Sequence, residues 1–283
     1  MWRRFSKLLE LEVPPALPLT NPTVVLLDGF YLAYPSLKRN RHRPRAKTVS
    51  CILLWALDSK TSKPIYWKFY SQVENPGIWQ DFIHNLTQAG IVPDYVVHDG
   101  HSGITIAVNN YWHKTKHQRC FVHLMSNMHK DLGISPKTAI ARELKQVVAG
   151  IFSIADDITW QTWEQQWQQY CHKHISTMEA LRTHQLCLDE NGNRIPRAVL
   201  EAFTVINNAY MRNELTAFLD NPETIPRTTN SIESLNGNLR ELLQRHRGLN
   251  LEKRMNLVSW YLALKQKQTL KQLRECLYTL FDT

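Results

Sequence analysis

The spacing of apolar and polar positions along this chain changes character twice. The first third reads as strands. Val24-Val25-Leu26-Leu27 runs into Asp28-Gly29, residues 48–57 form a second apolar run, and over 64–70 Ile65, Trp67 and Phe69 alternate with Tyr66, Lys68 and Tyr70. An unbroken apolar run predicts a strand buried on both faces, and strict alternation predicts one buried face. The short connection Asp58-Ser59-Lys60-Thr61-Ser62 predicts an antiparallel pairing of the second and third. A helix is expected over 76–89, with Ile78, Phe82 and Leu86 at four-residue steps and Gly90 as its stop, followed by a strand Tyr95-Val96-Val97-His98 that ends at Asp99. From about 124 to 219 glycine is rare, Glu, Gln and Lys are frequent, and Trp160, Trp163, Trp167 and Tyr170 fall at helical spacing. This stretch predicts helices, interrupted near Asn191-Gly192-Asn193. Beyond Pro222 and Pro226 a new helix is expected, capped by Asn230, with Ile232, Leu235, Leu239, Leu242 and Leu243 on one face. Glu233, Gly237, Arg240, Gln244 and Arg247 share a flanking stripe, and residues 250–281 predict one or two further amphipathic helices.

Three strands in a row, then helix, strand, helix and strand, predict an α/β fold: a mixed sheet of the ribonuclease H type with a helical insertion before the last acidic residue. The implied organisation is a lead-in over 1–22, the first part of the core over 23–123, the insertion over 124–225 and C-terminal helices over 226–283 that complete the core. Asp28 and Asp99 then end neighbouring strands, where α/β sheets carry their chemistry. A third carboxylate, Glu233, comes from a helix. Three carboxylates in one place suit two divalent ions, one activating an attacking oxygen and the other stabilising a leaving oxygen in phosphoryl transfer. Plainer readings exist for each residue. Asp-Gly is a common turn pair, and Glu233 has the spacing of a capping-box partner for Asn230. Asp94, five residues before Asp99, precedes its strand and reads as a surface residue.

Charge narrows the partners. Lys and Arg number 34 against 25 Asp and Glu, a net +9, which suits an anionic partner or a merely basic surface. Lys38, Arg39, Arg41, Arg43, Arg45 and Lys47 crowd into ten residues with no acidic neighbour, either a solvated loop or a phosphate-contacting one. The five cysteines are an odd number with no Cys-x-x-Cys pair, which argues against a disulfide framework and for a reducing compartment. The prolines at 14, 15 and 18 interrupt any apolar signal segment, and no run approaches the roughly 20 apolar residues of a membrane span. Cys120 and His123 have the spacing of half a zinc site, with Cys171, His172 and His174 as the nearby candidates for the other half; a buried cysteine behind the site is the plainer reading. The tryptophans suit a helical core, or a platform on which an unpaired base stacks.

Four motifs in order carry a resemblance. Leu27-Asp28-Gly29, Val97-His98-Asp99-Gly100, Gln118-Arg119-Cys120-Phe121-Val122-His123 and Pro226-Arg227-Thr228-Thr229-Asn230-Ser231-Ile232-Glu233, continuing to Arg245-His246-Arg247-Gly248-Leu249, run through almost the whole chain. The chain resembles the catalytic region of the Mutator-type transposases of bacterial insertion sequences. That resemblance implies a DDE transposase that cleaves DNA at element ends and transfers the strand to a target duplex. Asp28, Asp99 and Glu233 would be catalytic ligands of two Mg²⁺ ions, for which Mn²⁺ can substitute. Cys120, His123 and Asn230 would support the site, and Arg240, Arg247 and the 38–47 run would hold phosphates. Joining two element ends implies a homodimer or larger assembly on DNA, in the cytoplasm at the bacterial nucleoid and away from membranes. A nuclease that cuts without joining, or a domesticated DNA-binding protein, are the competing readings. Family members usually carry a sizeable DNA-binding region ahead of the first aspartate, and only 27 residues precede Asp28 here. The expectation is therefore DNA binding mainly through backbone charge.

Overall fold

A computed structural model describes residues 9–10, 15, 21–34 and 49–266. Its strands are β1 (Val24–Tyr34), β2 (Val49–Asp58), β3 (Lys63–Tyr70), β4 (Tyr95–His98) and β5 (Lys116–Arg119). The helices are α1 (Pro76–Gln88), α2 (Ser102–Tyr111), α3 (Phe121–Leu132), α4 (Ala139–Ala149), α5 (Asp157–Arg182), α6 (Ala198–Met211), α7 (Asn230–Arg245) and α8 (Leu251–Gln266). The fold is α/β with a mixed five-stranded sheet in the order β3-β2-β1-β4-β5, compatible with the ribonuclease H type. The basic run 38–47 lies outside the described residues.

The chain divides into two compact units, the first drawn from Met1–Val96, His101–Thr115 and Thr229–Thr283, the second from Val97–Gly100 and Lys116–Thr228. In the first, β1 pairs antiparallel with β2, and β2 with β3. Both faces of β1 are covered, which explains its unbroken apolar run. Val25 and Leu27 join a core with Ile52, Leu54, Ile78, Trp79, Phe82 and Ile104, so this face of the meander packs on α1 and α2. Side chains alternate along a strand, so Val24, Leu26, Asp28 and Phe30 point to the other face, where α7 crosses. Asn75 caps α1 through two backbone N–H groups, and Gly90, at φ +79°, follows its end. Helix α8 departs from the expected amphipathic form, since Arg254 and Asn256–Trp260 are all buried and leave it without a polar face.

The second unit is helical apart from β5 and the end of β4. Asp156 and Thr159 close a capping box at the start of α5. Trp163, Trp167 and Tyr170 are buried and stacked in sequence, with centroids 6.0 Å apart at each step, and Phe203 of α6 lies 5.4 Å from Trp167. The aromatic periodicity is thus a packing seam. Trp160, half-buried, stacks on Trp163 at its outer end.

Candidate active site

Asp28 differs from expectation in one respect: it is the fifth residue of an eleven-residue strand, not its tip. The expected stop, Gly29, stays inside the ladder opposite Leu54. A Cβ there would come within 3.1 Å of Ile52 Cδ1, so this glycine serves close packing instead of a turn. Pairing then continues to Tyr34 opposite Val49. Asp28 is buried, 7% exposed, on the face turned to α7. Its Oδ1 accepts the Gly29 N–H at 2.8 Å and its Oδ2 accepts Asn236 Nδ2 at 2.6 Å. Asn236 is itself 2% exposed, and its Oδ1 is buried without a hydrogen-bond partner.

Helix α7 also brings Glu233. Glu233, Asn236 and Arg240 lie at i, i+3 and i+7 and share a face. Along that face Asn236 meets Asp28, and the Arg240 guanidinium stands 5.7 Å over the Phe30 ring, two residues further on β1. Glu233, half-buried, sits about 4.5 Å along the axis before Asn236. The helix starts differently from the sequence expectation: its N-cap is Thr229, with no side-chain capping bond, and Asn230 is its first residue and exposed. Glu233 is therefore one position too late for a capping box, which removes that reading. Arg247 lies past the end of α7 and is exposed.

Asp99 belongs to the second unit and follows β4 at its C-terminal end, as expected; it is half-buried, whereas Asp94 is exposed. Gly100 has φ +93°, a conformation that favours glycine. Its N–H donates to His98 Nδ1 at 3.0 Å, and the Asp99 carbonyl accepts Arg119 Nη1 at 3.1 Å. Arg119 forms a buried ion pair with Glu214, Nε to Oε2 3.4 Å, and its backbone N–H donates to the Glu214 carbonyl. Burial, offset by Glu214 and Asp99, holds the Arg119 pKa below its usual value.

His98, His117 and Glu214 are the one grouping of three His, Cys, Asp or Glu among the described residues with ligand atoms within 4.8 Å of one another. They do not fit a metal. Because the Gly100 N–H points at His98 Nδ1, the ring proton must sit on Nε2, which donates to His117 Nδ1 at 3.1 Å. That nitrogen has no lone pair for a cation. Burial, Arg119 and Arg212 push the His117 pKa down to about 4, so the ring is a neutral acceptor in an electropositive setting. No such grouping includes Cys120 or His123. Cys120 is buried where β5 passes into α3, its N–H donating to the His98 carbonyl, and His123 is half-buried on α3. His174, a candidate for the other half of a zinc site, instead pairs with Glu143 at 2.9 Å.

The donors on β1 and α7 are different in kind. The buried Asp28 carboxylate, the unbonded amide oxygen of Asn236 that meets it, and the carboxylate of Glu233, three residues before Asn236 on α7, are hard oxygen ligands, the type that suits Mg²⁺ or Mn²⁺. Asn236 is not among the residues expected from sequence, although its place between Ile232 and Leu239 on an apolar face is a usable signal. Arg119 lies inside one of the four sequence motifs, and Glu214 carries no local signal at all.

The family model for "Transposase, Mutator family" matches residues 21–189, more than half of the chain. The chain belongs to the Mutator family of transposases. The match takes in Asp28, Asp99, Cys120 and His123, and it ends before Glu214, Glu233 and Asn236. The family is one of enzymes that cleave and transfer DNA, so DNA is the substrate class. No curated protein matches the chain. No described helix is long and apolar enough to cross a membrane.

Proposed function

We propose that this chain is a DDE transposase that cuts DNA at the ends of an insertion sequence and joins those ends to target DNA. Asp28, Asp99 and Glu233 are its catalytic carboxylates and hold two Mg²⁺ ions. When bound, such ions activate the attacking oxygen and stabilise the leaving one. The reading draws most support from one contact: the 2.6 Å hydrogen bond from Asn236 to Asp28, which ties the helix of Glu233 to the strand of Asp28 in a chain of a transposase family.

The chain's own residues account for the rest. The Gly29 N–H and the Asn236 amide orient the Asp28 carboxylate. In the first step water attacks the phosphodiester at the element end, the bond from phosphorus to the 3′ oxygen breaks, and that oxygen takes a proton to become a 3′-hydroxyl. In the second, this hydroxyl loses its proton, attacks a target phosphodiester, and displaces another 3′ oxygen. Each step is an in-line displacement without a covalent enzyme intermediate. Arg240, Arg247 and the basic run Lys38, Arg39, Arg41, Arg43, Arg45 and Lys47 hold backbone phosphates, and Cys120 and His123 support the turn into α3. Two ends must be joined, so the working form is a dimer or larger assembly, acting at the nucleoid.

The test is cleavage of an end-labelled duplex carrying the element terminus, with Mg²⁺ or with EDTA. Mg²⁺-dependent nicking at the terminus is expected. Cleavage that persists in EDTA, or is spread without regard to the terminus, would contradict the reading.

A further inference from the structure

What fixes the Asp99–Gly100 turn also fixes where the Asp99 carboxylate starts from. Arg119 does so directly, since its Nη1 donates to the Asp99 carbonyl at 3.1 Å. The guanidinium also fills the space above the turn: a Cβ built on Gly100 would fall 0.5 Å from Arg119 Nη1. The side chains of Arg119 and Glu214 are 6% and 1% exposed, and the two residues are joined twice, by the ion pair and by the 2.6 Å bond from the Arg119 N–H to the Glu214 carbonyl. Gln118, fully buried, adds a third tie: its Nε2 donates to the Arg119 carbonyl while its Oε1 accepts the Phe218 N–H. Stability alone explains this poorly. A buried ion pair contributes little beyond what an apolar pair of the same volume would give. A rigid cation braced from behind and touching one backbone oxygen has the form of the outer groups that orient metal-binding carboxylates.

We propose that Arg119, anchored by Glu214, is a positioning residue for Asp99, setting the backbone from which its carboxylate reaches the metal. This rests on the reading of Asp99 as a metal ligand. Lysine cannot replace Arg119 here, because a single ammonium does not serve the Glu214 carboxylate and the Asp99 carbonyl in the planar fork of a guanidinium.

The experiment titrates the full chain with Mn²⁺, following unbound Mn²⁺ by electron paramagnetic resonance beside duplex binding and a thermal melt. It compares wild type, Asp99→Asn, Arg119→Lys and the double variant Arg119→Met/Glu214→Met, which removes both charges together and so keeps the fold. Both Arg119 variants should bind Mn²⁺ about 10- to 100-fold more weakly, with duplex binding unchanged. Wild-type Mn²⁺ affinity in the folded Arg119 variants, with binding lost in Asp99→Asn, overturns the proposal and leaves the site reading standing. Undiminished Mn²⁺ binding in Asp99→Asn overturns the site reading, and the proposal with it. If neither Arg119 variant folds, the pair is a stability element and the proposal is wrong.

Discussion

Asp28 and Asp99 are both held in place, by opposite means. Asp28 is gripped at its carboxylate, by a backbone N–H and a side-chain amide, in the middle of a long strand. Asp99 is gripped at its backbone, by a guanidinium with its own counter-ion, in a glycine turn beyond a short strand. The first arrangement places two neutral donors, the Gly29 N–H and the Asn236 amide, on the carboxylate itself. The second uses a charged group, but aims it at a carbonyl and balances it with Glu214. Each unit thus has an acidic residue with a holder of its own. Under the proposed function, changes to the holders should matter as well as changes to the carboxylates.

The largest effect on stability should come from unbalancing the charged holder. Arg119→Met alone leaves Glu214 buried without its cation and should cost about 3–5 kcal/mol in urea unfolding, most of it recovered in Arg119→Met/Glu214→Met. Equal losses in the single and double variants would mean that packing, not charge balance, dominates there. Next in size is a pH effect in the same unit. The folded-state pKa of His117, about 4, lies below its ordinary value of 6.5, so the unfolded chain takes up the proton first as pH falls. Stability contributed by the neutral ring is complete above about pH 6.5 and declines towards pH 4, by up to about 3 kcal/mol. His117→Gln should flatten that part of the stability profile, and an unaltered slope would show that other groups set it.

The neutral holder should respond more gently. Asn236→Leu deprives Asp28 of one donor and should cost about 1.5–3 kcal/mol by urea unfolding. It should also weaken Mn²⁺ binding about 10- to 100-fold; unchanged Mn²⁺ affinity would reduce the contact to packing. Smallest of all is Arg240→Ala, exposed at the outer end of the same face. It should leave the fold nearly intact and lower the log-log salt slope of duplex binding by about 0.9, the value of one phosphate contact. An unchanged slope would leave Arg240 as a partner of the Phe30 ring alone.

Much of the fold was legible because it obeys local rules. Ile78, Phe82 and Leu86 fall on the buried face of α1, and the run at Val24 is buried on both sides, as its composition demands. The tryptophan spacing marked core, with Trp163 and Trp167 buried. Gly29 misled because a strand glycine chosen for close packing looks like a turn glycine in sequence. Asn230 misled because the helix begins one residue early, at a position ±1 that pattern alone does not resolve. The holders were harder. Asp28 and Asn236 are 208 residues apart in the chain, and Arg119 meets Glu214 through a loop that no periodicity marks. Pairings of that separation are set by tertiary packing, so only their burial as polar residues in apolar surroundings could betray them.

Strand transfer tests the central claim most directly. Precut element ends carrying a free 3′-hydroxyl are incubated with supercoiled target DNA and Mg²⁺, using wild type, Asp28→Asn, Asp99→Asn and Glu233→Gln. The wild type should produce end-joined target, and all three variants should fall to background while still binding duplex, since one lost carboxylate disables the shared ions. Near-normal joining by Glu233→Gln would contradict the account, and so would a wild type that cuts ends but never joins them.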